Sequence, residues 1–145
     1  MKTTRLHVSE MLNGLMAVKK LAGDNKYAYA VARNIDRMLS IQKITERRRF
    51  PDPDERSLEY FTKIEKLKKD IAEKTVAGDF ETLANDIEKD YQDVKQRYEA
   101  HFKTFQEYVN EDVEIDIYML KSEHLPDNIT PEQMQGLMFM VDEPK

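Results

Sequence analysis

The chain has no cysteine among its 145 residues. That absence excludes disulfide bonds, thiolate zinc sites and cysteine nucleophiles, and it is consistent with a reducing compartment. Glycine is scarce as well, at four residues, and the motifs GxxxxGK[ST], GxGxxG and GxSxG do not occur. The sequence therefore offers no glycine-rich loop for a phosphate group and no nucleophile elbow.

Long apolar runs are also missing. A helix that spans a bilayer needs about 20 apolar residues, and no stretch of this chain approaches that length. Charges at Lys2, Arg5 and Glu10 interrupt the start of the chain, which does not resemble a secretory signal. We therefore expect a soluble, cytoplasmic protein with no membrane partner.

The three histidines, His7, His101 and His124, have no partner at helical spacing, and no HExxH motif is present. The acidic residues that alternate along 112–116 lie in a row instead of in an enclosing loop. We expect no metal, no cofactor and no catalytic residue, and we predict that the protein is not an enzyme.

Charge is distributed unevenly along the chain, although the net charge is only −5. Residues 1–50 carry eleven Lys and Arg against four acids, whereas residues 51–145 carry twelve against twenty-four. Two interpretations follow. In the first, basic and acidic elements pack together and neutralise each other; in the second, the basic part offers a surface to an acidic partner.

Strict alternation of polar and apolar residues predicts a strand over 112–120, and a shorter alternation predicts a strand over 3–8. Pairing these two strands would place Arg5 and His7 opposite Glu114 and Asp116. We predict an α+β fold, predominantly α, in which a helical hairpin or bundle is joined to a small two-stranded sheet formed by the N- and C-terminal strands.

Apolar residues at three- and four-residue spacing predict the helices. Ser9, Asp52 and Asp79 are the expected N-caps of three of them, and Thr130 with Gln133 forms an expected capping box. We expect one domain over 1–145. The predicted helices are about 9–22, 26–49, 53–77, 80–110 and 131–141.

Two segments are candidate partner-binding surfaces. The last helix is apolar on nearly all sides, which is typical either of core packing or of an adaptable interface. A run of arginines ends the second helix, where it either complements the helix dipole or contacts phosphate. The candidate residues are Met134, Leu137, Met138 and Phe139 in the last helix, and Arg47, Arg48 and Arg49 in the arginine run.

Both ends of the chain resemble a family of small uncharacterised proteins encoded by tailed bacteriophages and prophages. The similar segments are RLHVSEMLNGLMAVKKL with KYAYAVARNIDRM near the start and VEIDIYMLKSEHLPDNITPEQMQGLMFMVDE at the end. The resemblance covers roughly half of the chain. It implies a phage source and a setting in the host cytoplasm, and it assigns no catalytic residue.

These observations predict a non-enzymatic protein that binds a host or phage protein and inhibits a host enzyme or defence system. One alternative is a phage morphogenesis or assembly factor, or a minor virion component, which would form a homo-oligomer through the last helix. A second alternative is a nucleic-acid-associated protein that uses the cluster Arg47–Arg49.

Overall fold

The computed structural model describes residues 1–142. The fold is α+β and mostly helical, as predicted. No helix in this part of the chain is long and apolar enough to cross a membrane. The strands are β1 (Lys2–Thr4), β2 (Asp112–Glu114), β3 (Leu120–Lys121) and β4 (Val141–Asp142). The helices are α1 (Arg5–Val18), α2 (Asn25–Arg47), α3 (Glu55–Ala72), α4 (Phe80–Lys89), α5 (Gln92–Val109) and α6 (Pro131–Leu137).

The chain divides into two compact units. The first, which we call the terminal unit, combines residues 1–48 with the chain from residue 106 onward, and the second, the middle unit, is Arg49–Phe105. The prediction of a single domain stays a prediction. In the terminal unit, α1, α2 and the C-terminal elements share one apolar core. Its fully buried side chains include Val8, Leu12, Leu15, Val18, Met38, Leu137 and Met140.

The terminal strands pair as predicted, with β1 antiparallel to β2. The predicted neighbours are wrong, because Lys2 lies opposite Glu114 and Arg5 and His7 belong to α1. The predicted strand over 3–8 is also too long. Thr4 Oγ1 accepts a hydrogen bond from the His7 backbone N–H at 3.1 Å, which caps α1 four residues after the start of the chain. Ser9 is therefore inside α1, and the expected N-cap at Ser9 is wrong.

The predicted strand over 112–120 is interrupted: Ile115 still exchanges backbone hydrogen bonds with Met1, but residues 116–119 form no sheet ladder. Side chains of α2 take the place of a partner strand there. Asn34 Oδ1 accepts from the Tyr118 N–H at 2.8 Å, and Asn34 Nδ2 donates to the Tyr118 carbonyl at 2.9 Å. Arg37 donates to the Asp116 carbonyl at 2.8 Å. Beyond this segment, β3 pairs in parallel with β4.

Three helix boundaries in the middle of the chain differ from the prediction. Asp54, not Asp52, caps α3 by accepting from the Ser57 N–H at 2.7 Å, and α3 ends at Ala72 instead of residue 77. Asp79 caps α4 as expected. The continuous helix over 80–110 is wrong, because the chain turns at 90–91 between α4 and α5.

A side chain from α3 explains that turn. Arg56 donates to the Asp90 carbonyl at 2.6 Å and to the Asp93 carboxylate at 3.1 Å, and its guanidinium carbon lies 4.3 Å from the centroid of the Tyr91 ring. Arg56 thus occupies the Asp90 carbonyl, which would accept from the Val94 N–H in a continuous helix. Just before it, the backbone forms bonds from residue i to residue i−3, such as Tyr91 N–H to Glu88 O at 3.0 Å.

At the end of the chain, the capping box of Thr130 and Gln133 is present as predicted. The predicted helix over 131–141 stops at Leu137, however, and continues as a 3₁₀ turn over Met138–Met140 into β4. The helix α6 crosses α1 closely where two glycines meet. A Cβ atom placed on Gly14 would lie 3.3 Å from the Gly136 Cα.

Candidate binding groove

The structure separates the residues that the sequence grouped in the last helix. Leu137 is fully buried in the core of the terminal unit, which does not favour its place on a partner-binding surface; the partner-binding assignment of these residues stays a prediction. Phe139 packs against the same core and Met134 is half-buried, whereas Met138 is 56% exposed. Most of this segment therefore serves core packing, because the close approach of α1 and α6 covers it.

The arginine run is exposed to solvent, but two of its members stack on aromatic rings. The Arg48 guanidinium carbon lies 4.7 Å from the centroid of the Tyr108 ring, and Arg49 lies 5.1 Å from that of Phe105. The Arg5 guanidinium carbon also lies over the Tyr108 ring, 3.8 Å from its centroid. Arg47 lies in the last turn of α2, where a positive charge complements the helix dipole.

Within the terminal unit, basic residues from the start of the chain meet acidic residues from its last third. For these residues, the arrangement supports mutual neutralisation of charge and does not support a separate basic surface. The ion pairs are Lys2 with Asp112 at 3.4 Å, Arg5 with Glu111 at 3.0 Å, and Arg37 with Asp116 at 3.4 Å.

The middle unit contains a half-open cavity of about 460 Å³, which we call the aromatic groove. Six aromatic rings make up most of its wall, and four charged side chains lie at its edge. The rings are Phe50, Tyr60, Phe61, Tyr98, Phe102 and Phe105, the charged residues are Arg49, Glu88, Lys95 and Glu99, and Pro51 and Val94 complete the wall.

The groove has two long walls, and the wall on α5 follows from helical spacing. Val94, Tyr98, Phe102 and Phe105 recur at three- and four-residue intervals and therefore share one face of α5. The other wall is built from Tyr60 and Phe61 of α3. The Phe61 ring meets the Tyr98 ring edge-on, with centroids 5.5 Å apart and an interplanar angle of 81°, which is a favourable geometry for two aromatic rings.

A loop supplies the third wall, through Phe50 and Pro51. Arg97 of α5 fixes this loop, because it donates to the Asp52 carbonyl and pairs with the Asp54 carboxylate at 3.1 Å. Asp54 in turn caps α3, and the hydroxyl and then the backbone N–H of Ser57 lower the pKa of Asp54. The loop is thus held at two points, by Arg97 of α5 and by the cap at the start of α3. These contacts keep Phe50 at the mouth of the groove.

The charged edge is partly paired. Lys95 Nζ lies 2.9 Å from Glu88 Oε1, and this hydrogen bond raises the pKa of Lys95, with a smaller contribution from the charge of Glu99. Arg49 lies against the Phe105 ring. The Glu99 carboxylate is exposed and enters no such close ion pair among the described residues.

Helical spacing predicts the apolar stripes that contain Phe61, Tyr98 and Phe102, and for the stripe of Tyr98 and Phe102 it leaves both core packing and a partner surface open. Spacing shows which face of a helix is apolar and does not show whether another element covers that face. Phe50 precedes the prolines at 51 and 53, which cannot continue a helix, and that local pattern does not indicate a binding role for its ring. In residues 1–142, no group of three His, Asp or Glu side chains is placed to hold a metal ion.

Comparison of the chain with models of protein families, with curated proteins and with solved structures gave no match in any of the three. The resemblance of the chain ends to small phage proteins therefore stays a prediction.

Proposed function

We propose that this chain is a non-enzymatic protein-binding protein and that the aromatic groove is its binding site. The observation that supports this proposal is the exposure of three phenylalanines around one cavity. Phe50 is 65% exposed, Phe102 58% and Phe61 42%. Such clustering is unusual for a surface that stays in water, because each exposed ring costs free energy that burial against a partner would recover.

The composition of the groove also favours a protein partner. Aromatic side chains are enriched among the residues that dominate binding energy, since they bring a large contact area with few rotatable bonds. The rings of the groove are positioned by helices α3 and α5 and by the loop that Arg97 holds. A binding surface on such supports loses little conformational entropy when the partner binds.

The finer proposal is that the partner is an enzyme or defence protein of a bacterial host, which this chain inhibits. Its support is the resemblance to phage proteins. The alternatives have less support. Assembly through the last helix conflicts with the burial of Leu137, and phosphate binding by the arginine run competes with the stacking of Arg48 and Arg49 on aromatic rings.

The test compares capture of a partner by matched variants. Tagged wild-type protein and the variants Phe102→Ser and Phe80→Ser are incubated with lysate of a bacterial host. Phe80 is a suitable control, because it is 40% exposed in the same unit and does not line the groove. We expect the wild type and Phe80→Ser to retain one stoichiometric protein that Phe102→Ser loses.

Equal capture by all three proteins would refute the groove as the binding site. If the captured protein is an enzyme, its activity is then measured with increasing amounts of wild-type chain. Loss of activity with the wild type and not with Phe102→Ser supports inhibition, whereas unchanged activity refutes it.

A further inference from the structure

We infer that the aromatic groove selects a cation carried beside an apolar group, so that its partner presents an arginine or lysine side chain next to an apolar anchor. This inference rests on the proposed function and adds to it the chemistry of the bound segment. Three features of the middle unit support the inference: the contacts that its aromatic rings already make with cations, the exposed carboxylate at the edge of the groove, and the size of the cavity.

Aromatic rings of the middle unit already hold cations. The Arg49 guanidinium carbon lies 5.1 Å from the centroid of Phe105, a ring of the groove itself. Outside the groove, Arg56 and Lys63 both approach the Tyr91 ring, at 4.3 Å and 5.0 Å. The negative face of an aromatic ring attracts a cation at such distances. The six rings that line the groove offer further faces of this kind.

The charges at the edge of the groove also favour a positively charged ligand. Lys95 is bonded to Glu88, and Arg49 is already placed on Phe105, so both cations of the edge have contacts within the groove. The exposed Glu99 carboxylate is the charge that remains for an incoming group. A cation would meet the Glu99 carboxylate and the ring faces, whereas an anion would meet the same carboxylate and the negative faces of the rings, because Glu88 is already bonded to Lys95.

The cavity limits how much of a partner can enter. Its volume of about 460 Å³ lies at the lower end of the roughly 300–1,000 Å³ that is usual for small-ligand sites. That space accommodates one or two large side chains and not a whole helix. We therefore assign to the groove an apolar side chain with an adjacent guanidinium or ammonium group.

Two probes that share a naphthalene ring and carry opposite charges test this selectivity. They are 2-naphthylmethylammonium and 2-naphthoate, each titrated calorimetrically into the full chain at neutral pH and low salt. We expect the ammonium to bind about two- to five-fold more tightly, which is the range for a cation over exposed aromatic rings. Phe102→Ser should weaken the binding of both probes.

Variants of the edge then identify the charge that is responsible. Glu99→Gln should reduce the difference between the probes to the part that the ring faces supply, and Glu99→Lys should reverse the preference. Glu107→Lys is the matched control, because Glu107 is an exposed residue of the same helix that does not line the groove. We expect this control to keep the wild-type preference.

Equal affinities, tighter binding of the naphthoate, or no binding of either probe would each overturn the inference. These outcomes are distinct from a failure of the proposed function. If the probes bind equally and Phe102→Ser still loses its protein partner, the function stands and the cation selectivity is wrong. If partner capture is unchanged by Phe102→Ser, the proposed function is wrong whatever the probes show.

Discussion

At the scale of single residues, Asn34 makes the two backbone hydrogen bonds to Tyr118 that a neighbouring strand would make in a sheet. It is fully buried, and its amide both accepts from and donates to the backbone of Tyr118, 84 residues away in the sequence. A second donor bond runs from Nδ2 to Met140 Sδ at 3.4 Å. The sequence could not reveal this contact, because an asparagine in the middle of an amphipathic helix has no local feature that identifies a distant backbone partner.

We predict that Asn34→Ala lowers the free energy of unfolding by about 2 kcal/mol, because it leaves the N–H and the carbonyl of Tyr118 without their partner. Denaturant unfolding of wild type and variant measures the difference. Asn13→Ala is the control, since Asn13 is exposed on α1 and the change should stay within about 0.5 kcal/mol. Equal effects of the two substitutions would contradict the role of Asn34.

Asp24 gives a prediction about pH. Its Oδ1 accepts from the Tyr27 N–H at 2.8 Å, which caps α2, and its Oδ2 lies 2.7 Å from His124 Nδ1. The Tyr27 backbone N–H and then the His124 side chain lower the pKa of Asp24 below its ordinary value of 3.8. The ionised form is thus favoured by folding, and its stabilising effect is lost as the pH falls through the lowered pKa.

The variant Asp24→Asn isolates this charge, because asparagine is also a good N-cap. We expect the wild type to be more stable than the variant at pH 5, and we expect the difference to shrink as the pH is lowered below 3.8. Chemical denaturation at several acidic pH values tests this. A difference that is constant with pH would show that the charge of Asp24 does not contribute.

At the scale of elements, the features that could be predicted are local ones. The capping box of Thr130 and Gln133 and the cap at Asp79 depend on residues within three positions, and both are present. The turn between α4 and α5 depends instead on Arg56, which lies more than thirty residues earlier. No proline or glycine marks that turn in the sequence, so the pattern predicted one long helix.

The crossing of α1 and α6 is a second long-range feature, and it requires two glycines. Because the Gly136 backbone lies 3.3 Å from the position of a Cβ atom on Gly14, there is no room for a larger side chain. We predict that Gly14→Leu lowers the free energy of unfolding by about 1–3 kcal/mol, which is typical of an overpacked core. Denaturant titration monitored by far-ultraviolet circular dichroism measures this change.

Ala17→Leu is the matched control for this crossing, because Ala17 is exposed on the same helix and leucine is a comparable helix former. Its effect should stay within about 0.5 kcal/mol. If Gly14→Leu proves equally mild, the close approach of α1 and α6 is not required for folding.

At the scale of the whole molecule, the fully buried side chains are distributed unequally between the two units. Nine of the ten largest such side chains among residues 1–142 belong to the terminal unit, and the tenth is Ser57 of the middle unit. The middle unit instead keeps large rings at its surface, in the groove. This distribution could not be predicted from the sequence, because the apolar stripes of α1 and α5 have similar spacing although five residues of α1 are buried and only two of α5.

This unequal burial predicts unequal protection of backbone amides from hydrogen exchange, because helices with few buried apolar contacts open at a lower free energy. The slowest exchange should occur in α1 and α2, and the fastest helical exchange in α4, which contains no buried residue. Hydrogen exchange followed by mass spectrometry at peptide resolution measures these rates. Exchange in α4 as slow as in α1 would contradict the prediction, since it would require α4 to be stabilised by contacts other than the burial of its side chains.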